Sequence, residues 1–200
     1  MTTLLQINAS IDPVNGQSSR LAHQFVAAFR AAHPEAKIAL RDVGAEPVPH
    51  LTRERFAAFL AKPEDRSEAQ ARVAAYSDAL ISEINEADVV VIGLPMYNFG
   101  VPSQLKAYFD HIARAGITFS YTEKGPVGRL TGKKVYVFAA RGGQYAGTPL
   151  DSQTSYVRDF LAFLGMTDVT FVYAEGLAIS AETKQANLAK AAAQIARLAA

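Results

Sequence analysis

Apolar positions along this chain recur in two rhythms. Five short runs read as strands: Leu4 to Asn8, an apolar run ended by turn formers like a buried parallel strand, then Lys37 to Asp42, Asp88 to Gly93, Lys134 to Ala140 and Val169 to Tyr173. The third, with Val89-Val90-Val91-Ile92 in a row, suits a central strand. Between them the apolar residues fall three and four apart. Leu21, Phe25, Ala28 and Phe29 mark one helix, and Thr52 to Ala61 a short second one. Ser67 with Gln70 has the form of a capping box, opening a helix that carries Val73, Tyr76, Ala79, Leu80 and Ile84 to about Glu86. Ser103 to Ala115, Tyr156 to Leu164, and the stripe Leu188, Ala191, Ile195, Leu198 complete the helices. Pro47 and Pro49 keep their stretch irregular, and the aromatic segment Phe119 to Tyr121 takes no assignment.

Strands alternating with helices imply right-handed crossovers, hence an α/β fold with a doubly wound, five-stranded parallel sheet and helices on both faces. Residues 1–200 contain no linker, repeat or low-complexity tract and are expected to form one domain. In such sheets ligands sit beyond the carboxyl ends of the strands, where the strand order reverses. The loops after the first, third and fourth strands are therefore the candidate site.

The first, Ser10 to Ser18, runs through Asp12, Pro13, Asn15 and Gly16 to a helix start, where unpaired N–H groups and the dipole favour an anion. It has neither the P-loop nor the Gly-x-Gly-x-x-Gly pattern, so a single phosphate suits it better than a nucleotide polyphosphate. A plain helix cap at Ser18 and a plain turn at Gly16 explain the same residues equally well. The second loop, Leu94 to Ser103, is too apolar for an ordinary surface connection. Tyr97 and Phe99 offer flat surfaces, Asn98 both a donor and an acceptor, and two prolines stiffen the frame, which suits a planar heteroaromatic ring; core packing of the aromatics is the competing reading. In the third, Arg141-Gly142-Gly143 precedes Gln144-Tyr145-Ala146-Gly147; consecutive glycines let backbone N–H groups face negative charge, though a tight turn would serve them as well. Convergence of the three loops on one sheet edge favours a ligand.

Charge and composition narrow the chemistry. Twenty basic against 19 acidic residues leave a formal charge of +1, with no basic stripe to suggest nucleic acid. The longest apolar run, near Val89 to Met96, is far short of the ~18 to 20 residues of a membrane-spanning helix. The start of the chain lacks a signal-peptide pattern, so the cytoplasm is the expected location. With no cysteine there is no thiol nucleophile, redox dithiol or Cys-ligated metal, and the four histidines lack ligand spacing, so no metal is expected. No Gly-x-Ser-x-Gly elbow is present, and Asp12 stands without the acidic cluster of a phosphoacceptor. Redox work requires a bound cofactor.

Pro95-Met96-Tyr97-Asn98-Phe99, Ser10 with Gly16-Gln17-Ser18, and Arg141-Gly142-Gly143 together resemble the FMN-dependent NADH-azoreductase family of flavodoxin-like quinone reductases. Ala113 to Phe119 and Ala174-Glu175-Gly176 also look familial, so the likeness spans nearly the whole chain. It implies a flavodoxin-like fold and tightly bound FMN: Ser10, Gly16, Gln17 and Ser18 on the phosphate side, Met96, Tyr97, Asn98 and Phe99 on the ring, and Ala140, Arg141, Gly142 and Gly143 at its pyrimidine edge. Gly16 and Ala140 stand where members often carry serine, leaving backbone contacts in place of hydroxyl ones. The implied reaction takes a hydride from NADH or NADPH at flavin N5 and passes two electrons to quinones or aromatic azo compounds by a ping-pong scheme, with no protein acid or base. Substrates are expected to stack near Phe99, with Phe119, Tyr121 and a partner's Phe163 as walls, in a homodimer with sites at the interface. The alternative, a single-electron carrier of the same fold, would usually be strongly acidic, which this chain is not.

Overall fold

The computed structural model describes residues 1–199. Five parallel strands, β1 (Thr3–Asn8), β2 (Lys37–Asp42), β3 (Val89–Pro95), β6 (Lys134–Ala140) and β7 (Asp168–Ala174), form one sheet in the order β2-β1-β3-β6-β7. Chain order reverses between β1 and β3, and the register there aligns Asn8 with Gly93, while Pro95 lies beside Ala140. The carboxyl ends of β1, β3 and β6 thus finish side by side at the switch point.

Side chains along each strand alternate between two separate cores. On one face Leu5, Ile7, Val90, Ile92, Val135 and Val137 pack with α3 (Glu68–Glu86), α4 (Ser103–Ile112) and α5 (Ser152–Phe163). On the other, Leu4, Val89, Val91, Phe138 and Val172 meet Leu21, Phe25 and Phe29 of α1 (Gln17–Ala32), with Ala191 and Ile195 of α6 (Ala181–Leu198). Burial on both faces is the reason β3 and β6 are nearly continuous in apolar residues instead of alternating, whereas β2, at the sheet edge, is largely exposed, with Leu40 55% exposed. Gly93 has a specific task in this packing. A Cβ there would stand 3.2 Å from the Ser18 carbonyl group, so its hydrogen lets the first turn of α1 lie directly on β3.

Three features depart from the sequence-based expectation. The unassigned Phe119 segment is β4 (Phe119–Thr122), paired antiparallel with β5 (Gly125–Gly128) in a two-stranded ribbon outside the main sheet. Its strands are four residues each and include Gly125 and Pro126, too short and too glycine- and proline-rich for a periodic signal. Helix α5 starts at Ser152, not Tyr156, because the Asp151 side chain caps it by accepting from the Thr154 N–H. Helix α4 ends at Ile112, before Ala115. The short helix is α2 (Arg53–Leu60), capped by Thr52. Among the described residues no helix is long and apolar enough to cross a membrane.

Candidate functional site

Loop 1 (residues 9–16) leaves β1 from the buried Asn8 and is folded by its own polar groups. Asp12 Oδ1 accepts from the N–H groups of Val14 (3.0 Å) and Asn15 (2.8 Å), and Ser10 Oγ accepts from the Asp12 N–H (3.2 Å). The Asn15 amide holds the Asp12 carboxyl below its ordinary value, against the opposing effect of burial and with help from the Val14 amide. Gly16 closes the loop: a Cβ at this position would lie 2.3 Å from Ser10 Oγ, so here glycine, not serine, is compatible with the observed turn. Beyond it α1 begins with no acidic residue and no side-chain cap. The N–H groups of Gln17, Ser18 and Ser19 find no protein acceptor among the described residues, and the first helical turn bond runs from Arg20 to Gly16. Ser18 Oγ is fully buried at this end and has no partner either. An unpartnered hydroxyl beside unpaired amides costs stability unless something fills the position. An anionic oxygen is the group that satisfies them all.

Loop 2 (residues 96–102) begins with the sheet ladder still running, since the Met96 N–H donates to the Ala140 carbonyl (3.1 Å). Tyr97 and Gly100 then exchange both backbone bonds around a tight turn whose central residues, Asn98 (φ 49°) and Phe99 (φ 63°), are left-handed. Asparagine tolerates that region; phenylalanine does so only under strain of roughly 1 to 3 kcal/mol. The Tyr97 hydroxyl accepts from the Ile11 N–H (3.1 Å) and lies 3.4 Å from Ser10 Oγ, tying loop 2 to loop 1. The Asn98 side chain is exposed and unbonded, and Phe99 is 51% exposed. Phe99 is therefore a surface aromatic, not a core one. Its ring meets Tyr145 of loop 3 edge-on at 5.4 Å.

Loop 3 (residues 141–150) is built around a buried ion-pair group. The Arg141 guanidinium, excluded from solvent, donates to Asp151 (2.8 Å), Glu175 (3.1 Å) and the Thr154 hydroxyl (3.1 Å) and lies over the Tyr173 ring. Burial acts to raise the Asp151 carboxyl, and the Arg141 and Thr154 bonds outweigh it and keep it below its ordinary value. Glu175 Oε1 also accepts from the N–H groups of Tyr145 and Ala146, both at 2.9 Å. The carbonyls of Arg141, Gly142 and Gly143 are taken by the N–H groups of Leu177, Ala178 and Gly176. What remains free is one side of the loop: the Gly142 and Gly143 N–H groups have no protein acceptor among the described residues.

The structure thus brings Ser10, Gly16, Gln17, Ser18, Met96 to Phe99 and Ala140 to Gly143 to one edge, with Ala140 half inside the sheet as the last residue of β6. Arg141 belongs there by position, but its side chain points into the ion-pair cluster and its N–H and carbonyl are spent on Ala174 and Leu177, so it shapes the loop and offers no contact to a ligand. Phe119, Tyr121 and Phe163 are placed differently. Helix α4 carries the chain from loop 2 back along the sheet, so β4 and the end of α5 lie toward the amino ends of the strands, where Arg129 and Leu130 bond to Thr118 and Leu164 just before β6 starts. There Phe119 is 7% exposed and packs on Phe163 of the same chain (4.4 Å), while Tyr121 is 74% exposed. Within one chain these three aromatics do not line the site.

Three supports fall outside the sequence-based expectation: Glu175, Asp151 and Gln153, whose buried side-chain amide donates to Pro95 and Gly100. A lone arginine in an otherwise uncharged loop is a signal that acidic partners exist. Nothing in the sequence says which.

Comparison with known proteins identifies the family. A family model described as a flavodoxin-like fold matches residues 2–199. A Burkholderia lata protein named FMN-dependent NADH:quinone oxidoreductase 6 is 53% identical over 196 residues, 98% of this chain and 99% of its own. A Cellvibrio japonicus FMN-dependent NADH:quinone oxidoreductase is 54% identical over 177 residues, 88% of this chain and 89% of that one. Among solved structures, an azoreductase from Bacillus anthracis superposes with a TM-score of 0.92 at 30% identity, covering 100% of this chain and 99% of that one. A second from the same species, an FMN-dependent NADH-azoreductase in complex with FMN, gives 0.87 at 27% identity with both chains fully covered.

Proposed function

The chain belongs to the flavodoxin-like family of FMN-dependent NADH:quinone oxidoreductases and azoreductases, and from that premise we propose how its own residues carry the activity. It is an FMN-dependent oxidoreductase that uses NADH and reduces quinones or aromatic azo compounds. Loop 1 and the first turn of α1 hold the phosphate, with Ser10, Gln17 and Ser18 beside the unpaired amides. Met96 to Phe99 hold the ring, and the Gly142 and Gly143 N–H groups accommodate negative charge at its polar edge. The carrying observation is the buried Ser18 Oγ without a partner at a helix start that lacks any acidic group.

Bound FMN supplies the electron chemistry, accepting an electron pair with a proton from the nicotinamide and releasing it to an acceptor. The protein's part is placement. Tyr97 ties loops 1 and 2 together, so the phosphate and ring regions are spaced by one hydrogen-bonded unit. Phe99, exposed and braced by Tyr145, offers a flat surface against which a nicotinamide and then a planar acceptor stack in turn. Sharing one place in succession makes the kinetics ping-pong. The second wall comes from a partner copy in a homodimer: Tyr121, with Phe119 and Phe163 beneath it, lies at the far end of its own chain and meets a flavin site across a two-fold interface. The cytoplasm, which maintains NADH, is where such an enzyme works.

The deciding experiment is reconstitution with FMN, riboflavin and FAD, followed by steady-state kinetics with NADH and a quinone. FMN retained well above riboflavin, parallel double-reciprocal lines, and activity per chain that falls on dilution as light scattering shows dissociation are the expected results. Equal retention of riboflavin removes the phosphate role of Ser10 to Ser18; intersecting lines remove the shared place; a fully active monomer removes the partner wall.

A further inference from the structure

The cap and first residues of α5, Asp151-Ser152-Gln153, touch both loops that face the ring. Gln153 is fully buried, and its Nε2 donates one hydrogen to the Pro95 carbonyl (2.9 Å) and the other to the Gly100 carbonyl (2.8 Å). Those two carbonyls bracket the left-handed Asn98-Phe99 turn. The exposed Ser152 donates from Oγ to the Phe99 carbonyl inside it. Asp151, one residue earlier, takes the Arg141 guanidinium and so fixes loop 3. Meanwhile Gln153 Oε1 is buried with no partner. A residue present for packing alone would not leave a polar oxygen orphaned, because a methionine fills the same space without that cost.

We propose that Gln153, assisted by Ser152, is the positioning residue of loop 2: it holds the Tyr97 to Gly100 turn in its left-handed form before any ligand arrives, so that the ring-binding surface is preformed. The inference rests on the FMN reading above and names what prepares that site. Glutamine suits the task because one nitrogen carries two hydrogens, matching two carbonyls; glutamate and methionine have the length and lack both donors. Fixing a strained loop in advance saves the ordering cost that binding would otherwise bear.

The test uses full-length Gln153→Met and Ser152→Ala beside the unmodified protein, with three measurements: amide hydrogen exchange at residues 97–100 in FMN-free protein, the FMN dissociation constant by flavin fluorescence, and the melting temperature. For Gln153→Met the expectation is about tenfold or more faster exchange confined to that turn and about tenfold weaker FMN binding, as loss of two buried hydrogen bonds implies. Ser152→Ala should move both in the same direction by about threefold. Unchanged exchange and unchanged FMN binding overturn the proposal, even if the melting temperature falls, since that pattern describes a packing residue. If Gln153→Met does not fold, the exposed Ser152→Ala decides by the same two readouts. Should the unmodified protein itself fail to bind FMN, the functional reading fails, and exchange in the FMN-free turn still decides separately whether Gln153 clamps it.

Discussion

Apart from the Tyr97 hydroxyl on the Ile11 amide, loop 1 is folded by groups within seven residues of one another: Asp12 caps the amides of Val14 and Asn15, and Ser10 caps that of Asp12. Loop 3 depends on groups from two other places in the chain, the start of α5 and residues 175–178, with Arg141 pinned by Asp151, Thr154 and Glu175, and its carbonyls taken by residues 176–178. The first is open toward a ligand because its helix start is left uncapped. The second is open because its carbonyls and the Arg141 guanidinium are turned to the other side, leaving the Gly142 and Gly143 N–H groups free. Damage should therefore spread differently: a change at the phosphate side should cost binding and spare the fold, whereas a change under loop 3 should cost both.

The largest expected effect breaks the loop 3 side. Arg141→Met leaves the mostly buried carboxylates of Asp151 and Glu175 without their cation, and loss of one member of such a cluster costs about 3 to 5 kcal/mol. Urea unfolding measures it, and FMN binding should fall with it. The same cluster predicts an acid limit. The Asp151 carboxyl titrates below its ordinary value of 3.8, so its contribution is complete above that pH and is lost as pH falls through the lower, folded value. Asp151→Asn should flatten stability against pH in that range while lowering it near neutrality.

Ser18→Ala sharpens the contrast. Removal of an unpartnered buried hydroxyl leaves the FMN-free protein as stable or slightly more so, while loss of a bond to a charged phosphate, about 1.5 to 3 kcal/mol, weakens FMN binding tenfold or more. A loss of apoprotein stability comparable to that of Arg141→Met would erase the distinction between the two loops.

Asn98→Ala lies between them, since it removes a free amide from the ring side and places a residue less tolerant of a left-handed backbone at φ 49°. We expect FMN to bind several-fold more weakly or its potential to shift, with about 1 kcal/mol lost from the fold. Calorimetry and flavin titration separate the two.

The smallest effect belongs to the opposite end of the molecule and serves as the control. His111, at the end of α4, is fully buried with Nδ1 on the Ala107 carbonyl and Nε2 unpartnered, beside Phe59, Tyr76, Arg55 and Arg114. Burial lowers its pKa from 6.5; Arg55 and Arg114 add to this, and the Ala107 carbonyl and Asp110 oppose it. Its stability contribution is complete above 6.5 and declines as pH falls toward the lower, folded value, where the unfolded chain binds the proton more readily. His111→Gln should remove that slope from urea unfolding and leave FMN affinity unchanged.

The amino-acid sequence by itself determined the five parallel strands, the helices between them and the three loops at one sheet edge. Doubly covered strands and amphipathic helices each write a local period, and turn residues mark where each stops. It also carried the family through Met96 to Phe99, Gly16-Gln17-Ser18 and Arg141 to Gly143, all contiguous stretches. The antiparallel ribbon of Phe119 and Tyr121 left too short a pattern to be legible, and the early start of α5 hangs on a polar cap at Asp151 that lies outside the apolar period. Only the tertiary structure decided that Arg141 is a buried support and that Phe119 packs against Phe163 far from its own chain's site. The same holds for Gln153, which reaches 58 residues back to Pro95. Such contacts join groups distant in sequence, and whether a polar side chain meets a ligand, an ion partner or another loop depends on what the fold sets opposite it.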